Sequence, residues 1–213
     1  MLVSGPPDPL RRRRITKGSA LVEIFPLRTL AEHQIEVILD AAFGTDRHLR
    51  TAYRLRSGMA AIPGLSFAAS VNGVAAGTVQ CWPVAHFADD AAGDPARDGA
   101  VTPLVMVGPV AVLPEHQQQG LGRRLMDAVM AVAPAVADGA LMMIGDPEYY
   151  GRFFGFSADA TGAWRLPGPF DRHRLLASGI GDRAIPATTG AIGPRPATML
   201  ASARGGPTFA DDD

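Results

Sequence analysis

Apolar positions along the chain change period several times, and each change marks an element. LVEIFPL, residues 21 to 27, is strand-like. Thr29 with Glu32 forms a capping-box pattern opening a helix whose apolar face is Ile35, Ile38, Leu39, Ala42 and Phe43. A second helix is expected from Asp46, carrying Leu49 and Tyr53 and ending at Gly58. Leu65, Phe67, Ala69 and Val71 alternate with small or polar partners, and Asn72-Gly73 supplies a two-residue hairpin turn. Val74 to Val84 then returns as the antiparallel partner. A loop of Ala, Asp and Gly is expected over residues 85 to 100.

An apolar run from Leu104 to Pro114 follows as a strand, and Leu121, Leu125, Val129, Val132 and Val136 mark one side of a helix whose last turn Pro134 should kink or shorten. Leu141 to Ile144 read as a short buried strand, and Pro147 to about Phe154 as a short helix with proline in its first turn. Two more strands surround Trp164 and Leu175, separated by the Pro-Gly-Pro turn at 167 to 169. The order β, α, α, β, β, β, α, β, α, β, β indicates a mixed α/β domain.

Composition sets the boundaries. Residues 1 to 20, rich in Pro, Arg, Gly and Ser, are expected to be a flexible arm, residues 21 to 180 the domain, and residues 181 to 213, rich in Pro, Gly, Ala and Thr, a low-complexity tail. With 213 residues and 47% hydrophobic content, one domain with a real core is expected. The single cysteine, Cys81, excludes an intrachain disulfide and a multi-cysteine zinc site, in keeping with a reducing cytoplasm.

The formal net charge of −1 provides no global field for nucleic acid. Arg11 to Arg14 form one basic cluster, but no aromatic platform accompanies it, so a solvated arm is the plainer reading. No run approaches the ~18 apolar residues of a membrane span, and the expectation is a cytoplasmic protein with neither nucleic acid nor membrane as partner. The five histidines have no metal-ligand spacing, so no metal is expected.

The candidate chemistry sits where the strand from Leu104 meets the following helix, through Gln117-Gln118-Gln119-Gly120-Leu121-Gly122. First-turn N–H groups of a helix lack intrahelical acceptors and carry the positive end of its dipole, which suits a phosphate. A dinucleotide fingerprint would need Gly or Ala at position 125, which is Leu, and a P-loop would need a lysine that is not there. The remaining pattern is Gln-x-x-Gly-x-Gly, whose plain alternative is a tight turn. Gly108-Pro109 inside the preceding strand should break its ladder and free backbone groups beyond the break.

The glycine loop resembles the acyl-CoA pyrophosphate loop of the GCN5-related N-acetyltransferases (GNAT). A second motif, Gly145-Asp146-Pro147-Glu148-Tyr149-Tyr150-Gly151-Arg152-Phe153-Phe154-Gly155-Phe156, is similar to the YhbS-like branch of predicted N-acetyltransferases, with one extra phenylalanine before Gly155-Phe156. The resemblance covers roughly residues 21 to 176. It implies a mostly antiparallel sheet of about six to seven strands with splayed central strands, flanked by about four helices. Acetyl-CoA would be the co-substrate. The backbone of Val110, Ala111 and Val112 would bond the acetyl and pantetheine amides, as a strand adds to a sheet edge. Gln117, Gln118, Gln119, Gly120, Leu121, Gly122 and Arg123 would cradle the pyrophosphate.

Tyr150 would protonate the departing thiolate, with Tyr149 the alternative because of the extra phenylalanine. The implied reaction is direct acetyl transfer to a small-molecule or peptide amine, and homodimer formation is left open. No base is identified. His86, in the expected loop, is a candidate whose plain reading is an exposed histidine. Asp89, Asp90 and Asp94 suit either a cationic acceptor or a solvated loop. The competing class is a non-catalytic acyl-CoA-binding or sensing module with the same fold.

Overall fold

In the computed structural model, which describes residues 20–90 and 100–195, one sheet runs through the whole fold. Strand β1 (Val22–Pro26) leads to helix α1 (Glu32–Phe43) and the short helix α2 (Thr51–Leu55). Strands β2 (Phe67–Val71), β3 (Val74–Ala88) and β4 (Val101–Val112) form a meander. Helix α3 (Leu121–Val136), strand β5 (Ala140–Ile144), helix α4 (Pro147–Phe154) and strands β6 (Trp164–Arg165), β7 (Leu175–Ser178) and β8 (Gly190–Pro194) complete it. The main path is β1-β2-β3-β4-β5-β7, antiparallel except where β4 meets β5.

Side-chain alternation divides the core into two layers. Val105, Val107, Leu141 and Met143 face α3, through Leu125, Met126, Val129 and Ala133. Leu104, Met106, Ala140 and Met142 face the other way, onto Leu55, Trp164 and Leu175. In α3, Leu121, Leu125 and Val129 are buried as the pattern predicts, while Val136 is exposed beside Pro134 in the last turn.

Four local expectations are corrected. Thr29 lies in a 3-10 turn and donates to the Pro26 carbonyl, so α1 is capped instead by Gln34, whose Oε1 accepts the Ala31 N–H at 3.2 Å. The second helix is broken into a 3-10 turn (Thr45–Leu49) and α2, because Arg47 turns inward while Leu49 stays exposed. Strand β3 runs on to Ala88, which takes His86 out of the expected loop.

The fourth concerns the expected tail from residue 181. Strand β8 pairs with Val84–Ala88, using the part of the β3 edge that β2 does not reach, and β6 pairs with β8. With these two the mostly antiparallel mixed sheet has eight strands among the described residues. The segment is anchored by Arg195, whose guanidinium makes a two-pronged pair with Asp138 at 2.7 and 2.8 Å, and by the Pro186 carbonyl, which accepts the indole N–H of Trp164. Small residues here permit close packing: a Cβ at Gly190 would lie 2.4 Å from both His86 Nε2 and the Phe87 carbonyl oxygen. The expected arm apart from Ala20, with Arg11 to Arg14, Asp94, and residues 196–213 lie outside the described residues.

Candidate active site

Strand β4 pairs with β5 only at Leu104–Met106, opposite Ala140–Met142. Beyond that the two strands are unpaired although both continue, β4 to Val112 and β5 to Ile144. The cause is Gly108-Pro109. On the β3 side Val107 lies opposite Cys81 and Val110 opposite Val79, so two residues of β4 face Gln80 alone. Gly108 takes φ 123°, a backbone region open in practice only to glycine.

The extra residue flips the face of everything after it. Before the bulge Val105 and Val107 point to α3; after it Val110 and Val112 do, and Ala111 packs on Ile38 and Leu39 of α1. Strand β3 pairs with one edge of Val110–Val112 and β5 does not pair with the other.

Two adjoining cavities occupy the split. The smaller, about 250 Å³, is bounded by Val110, Val112, Gln117, Gly122, Tyr149 and Tyr150. The larger, about 760 Å³, runs from Met106–Val110 past Met143–Asp146 to α2, and Phe43, Val110, Tyr149 and Tyr150 border both.

Of the expected cofactor residues, Val110, Val112, Gln117 and Gly122 therefore meet at one cavity. Gln117 donates from Nε2 to the Val112 carbonyl at 3.1 Å, clamping the turn to the open strand edge. Gly120 takes φ 78° and precedes the first residue of α3 with no side-chain cap, so the first-turn N–H groups are not side-chain capped at that end. Leu121 puts its side chain in the core. Gln118 (φ 61°) and Gln119 are exposed, and Gln119 bonds the Glu115 carbonyl. The exposed Arg123 stacks on the Phe153 ring, 4.6 Å from its centroid. Ala111 is buried on the opposite face, pairs with Thr78 of β3 and lines neither cavity.

Helix α4 starts where Asp146 accepts the Glu148 N–H at 3.0 Å and stops at Gly155 (φ 70°), where the Phe156 N–H reaches the Tyr150 carbonyl. Its register gives the doubled phenylalanine a meaning: Phe154 is buried, and Phe153 is left exposed between Arg123 and Arg152. Both tyrosines border the cavities, their rings 5.1 Å apart and edge to face. Burial, reinforced by Tyr149 and Asp146 and opposed by Arg174, pushes the Tyr150 phenol up to about 12. Burial also raises Tyr149.

His86 does not belong to the site. It is fully buried in β3, with Nε2 3.1 Å from the Thr188 carbonyl and its ring beside Trp164, and burial lowers its pKa. It lines neither cavity. Asp89 is taken by Arg165 in a two-pronged pair at 2.5 and 2.6 Å.

The site also contains residues that pattern reading passed over. Arg47 and Arg56, both buried, and Tyr53 line the larger cavity with Arg174. Arg47 is held by Tyr53, Glu36 and Asp40, and these bonds raise its pKa against the lowering effect of burial. Arg56 donates to Gln80 Oε1 at 3.0 Å and lies 3.6 Å from the Tyr53 centroid and 4.6 Å from that of Trp82. The one hint in sequence was four arginines, at 47, 50, 54 and 56, interleaved with Leu49, Tyr53 and Leu55.

Residues 33–156 match the Acetyltransferase (GNAT) family. The chain belongs to that family. Among solved structures, a GNAT family N-acetyltransferase (YhbS) from Escherichia coli in complex with CoA shares this fold at 24% identity, with 83% of this chain and 89% of that one covered and a TM-score of 0.57. A GNAT family acetyltransferase from Brucella melitensis in complex with acetyl-CoA does so at 23% identity, 84% and 98% coverage and a TM-score of 0.53. No curated protein matches the chain. In this GNAT domain no described group of three or more His, Cys, Asp or Glu side chains is arranged to hold a metal, and no described helix is long and apolar enough to cross a membrane.

Proposed function

We propose that this GNAT protein is an acetyl-CoA-dependent N-acyltransferase that moves an acetyl group to an amine by direct transfer. The observation that carries the reading is the departure of β5 from β4 beyond Met106, which opens a strand edge between the Gly120–Gly122 turn and Tyr150. The residues present fit acetyl-CoA. The turn and the α3 N-terminus offer N–H groups to a diphosphate, assisted by Gln117–Gly122 and Arg123. The open edge of the Val110–Val112 segment, at Val110 and Val112 with Ala111 paired to β3 between them, suits the amides of an extended pantetheine arm.

When bound, acetyl-CoA supplies an activated thioester carbonyl. An unprotonated amine attacks the carbonyl carbon, and the backbone N–H near Val110 stabilises the oxyanion. The C–N bond forms and the C–S bond breaks; the sulfur takes a proton from Tyr150, a phenol held neutral far above pH 7, and the proton shed by the new amide nitrogen passes to solvent, from which the Tyr150 phenolate is reprotonated.

The test pairs calorimetric binding of CoA with thiol release from acetyl-CoA over a panel of amines, for the full chain and for Tyr150→Phe. The expected result is CoA binding by both proteins, and amine-dependent thiol release that drops in the variant by about 10²- to 10⁴-fold. Absence of CoA binding overturns the reading. Binding without turnover on any amine leaves the non-catalytic module.

A further inference from the structure

The larger cavity carries positive charge that a CoA pyrophosphate on the α3 side would not neutralise. Four arginines border it, Arg47, Arg50, Arg56 and Arg174, against one carboxylate, Asp146. Three of the four have identifiable work. Arg47 is neutralised by Glu36 and Asp40, Arg50 donates to the Phe43 carbonyl at 2.9 Å, and the exposed Arg174 donates to the Gly145 carbonyl at 3.2 Å. Asp146 is occupied as the cap of α4.

Arg56 is different. It is 7% exposed, its partners are the neutral Gln80 amide, the Tyr53 hydroxyl and the faces of Tyr53 and Trp82, Glu36 acts on it only through space, and no carboxylate of the described residues forms an ion pair with it. A guanidinium is never deprotonated at ordinary pH, and burying one without an anion is costly. Gln80 and the Tyr53 hydroxyl take part of the fork and the rings take its faces, so of five N–H donors some are left in the plane, the direction in which a carboxylate binds with two parallel bonds. The chain thus holds a preformed, desolvated cation at the wall of a cavity whose other end is the bulge at Gly108–Val110.

We propose that this cavity binds a carboxylate carried by the substrate, with Arg56 as its anchor. The inference rests on the acyl-transfer reading, which puts the thioester carbon near Val110, so the carboxylate belongs to whatever extends from that carbon towards α2. Two sources share the chemistry: an acceptor amine bearing a carboxylate, or an acyl group derived from a dicarboxylic acid. A volume of about 760 Å³ holds either.

Matched pairs separate the sources. In the acceptor arm, acetyl-CoA is offered with phenylalanine or phenylalaninamide; in the acyl arm, phenethylamine is offered with succinyl-CoA or butyryl-CoA. The expected result is a kcat/KM about 10-fold or more higher for the carboxylate member of one arm, the size of a charge-assisted pair. Arg56→Gln erases that ratio, and Arg56→Lys, which keeps charge but loses the fork, gives an intermediate one.

Because a buried arginine supports its surroundings, a measurement on the unaltered chain accompanies the variants: succinate and succinamide are titrated into CoA-loaded protein, and only succinate is expected to bind. A preference in the acceptor arm assigns the carboxylate to the amine, and one in the acyl arm to the acyl group. Normal CoA binding with no preference in either arm and no succinate binding overturns the inference alone, as does an unchanged ratio in folded Arg56→Gln. Loss of CoA binding by the unaltered chain overturns the acyl-transfer reading beneath it.

Discussion

The ring of Tyr150 rests directly on the α-carbon of Gly145: a Cβ there would stand 2.7 Å from Cδ2 and 2.9 Å from Cε2. Gly145 cannot easily retreat, since its N–H donates to the Arg174 carbonyl at 2.9 Å and its own carbonyl accepts from Arg174 Nε. The end of β5 therefore sets the position of the phenol on α4. Gly145→Ala should push the ring aside and lower kcat by about 10- to 100-fold while calorimetric CoA affinity holds. An unchanged kcat would remove Tyr150 as the acid.

The pH dependence of stability has a definite sign. Tyr150 titrates at an ordinary value of 10.0 when unfolded and at about 12 when folded, so the folded chain binds the extra proton between those limits. Its contribution is complete below pH 10 and is lost as pH rises towards 12. Urea unfolding from pH 9 upward should show the unaltered chain losing more stability than Tyr150→Phe over that window. Equal losses in the two proteins would contradict the burial of the phenol.

Gly120 and Gly122 should separate backbone strain from ligand access. At Gly120 there is room for a Cβ but φ is +78°, so Gly120→Ala should cost about 1–2 kcal/mol in thermal or urea unfolding. At Gly122 a Cβ would meet Val112 and Val110 at 3.8 and 3.9 Å, ordinary contact, so Gly122→Ala should leave the unfolding midpoint unchanged. Gly122→Leu should spare the midpoint as well yet abolish CoA binding, since its side chain would enter the smaller cavity; retained binding would move the ligand elsewhere.

Strand β8 is expected to be part of the cooperative fold. Gly190→Val forces branched carbon into the 2.4 Å approach to His86 and Phe87, and should destabilise by about 2–3 kcal/mol through overpacking. Scanning calorimetry should show a Tm lower by roughly 5–10 °C. A Tm within error of the unaltered chain would mean that the segment packs loosely.

Cys81 should be silent in thiol assays. It is fully buried in β3, and burial drives its pKa far above the ordinary thiol range, so almost no thiolate forms. A disulfide reagent should report no protein thiol in the native state and one per chain in denaturant. This makes released CoA the only thiol seen in the transfer assay; rapid native labelling would show β3 opening.

Legibility followed the range of the interactions. The Asn72-Gly73 hairpin, the strand-turn-helix around Gly120 and the helix from Pro147 to Phe154 are local, and each was readable because its caps, turns and periodicity lie within a few residues. Strand β8 was not, because Gly190 and Ile192 make sense only against His86 and Phe87, about a hundred residues earlier. A glycine-rich segment chosen for close approach has the same composition as a loose tail. Leu49 and Arg47 show the same limit: the pattern singled out Leu49, which is exposed, whereas the Arg47 guanidinium is buried because Glu36, Asp40 and Tyr53 pair with it.

By itself the sequence determined the mixed α/β order, the Gly108-Pro109 break, the glycine turn and the tyrosine pair, all written in neighbouring residues whose backbone demands do not depend on distant partners. Only the tertiary structure decided that the break shifts β4 by one residue against β3, that Val110, Val112, Gln117 and Gly122 therefore share a cavity with Tyr149 and Tyr150, and that Arg56 lies buried beside it without a carboxylate. Which face a side chain takes, and which charge finds a partner, depends on register and packing between segments far apart in the chain, and these exist only once the sheet has formed.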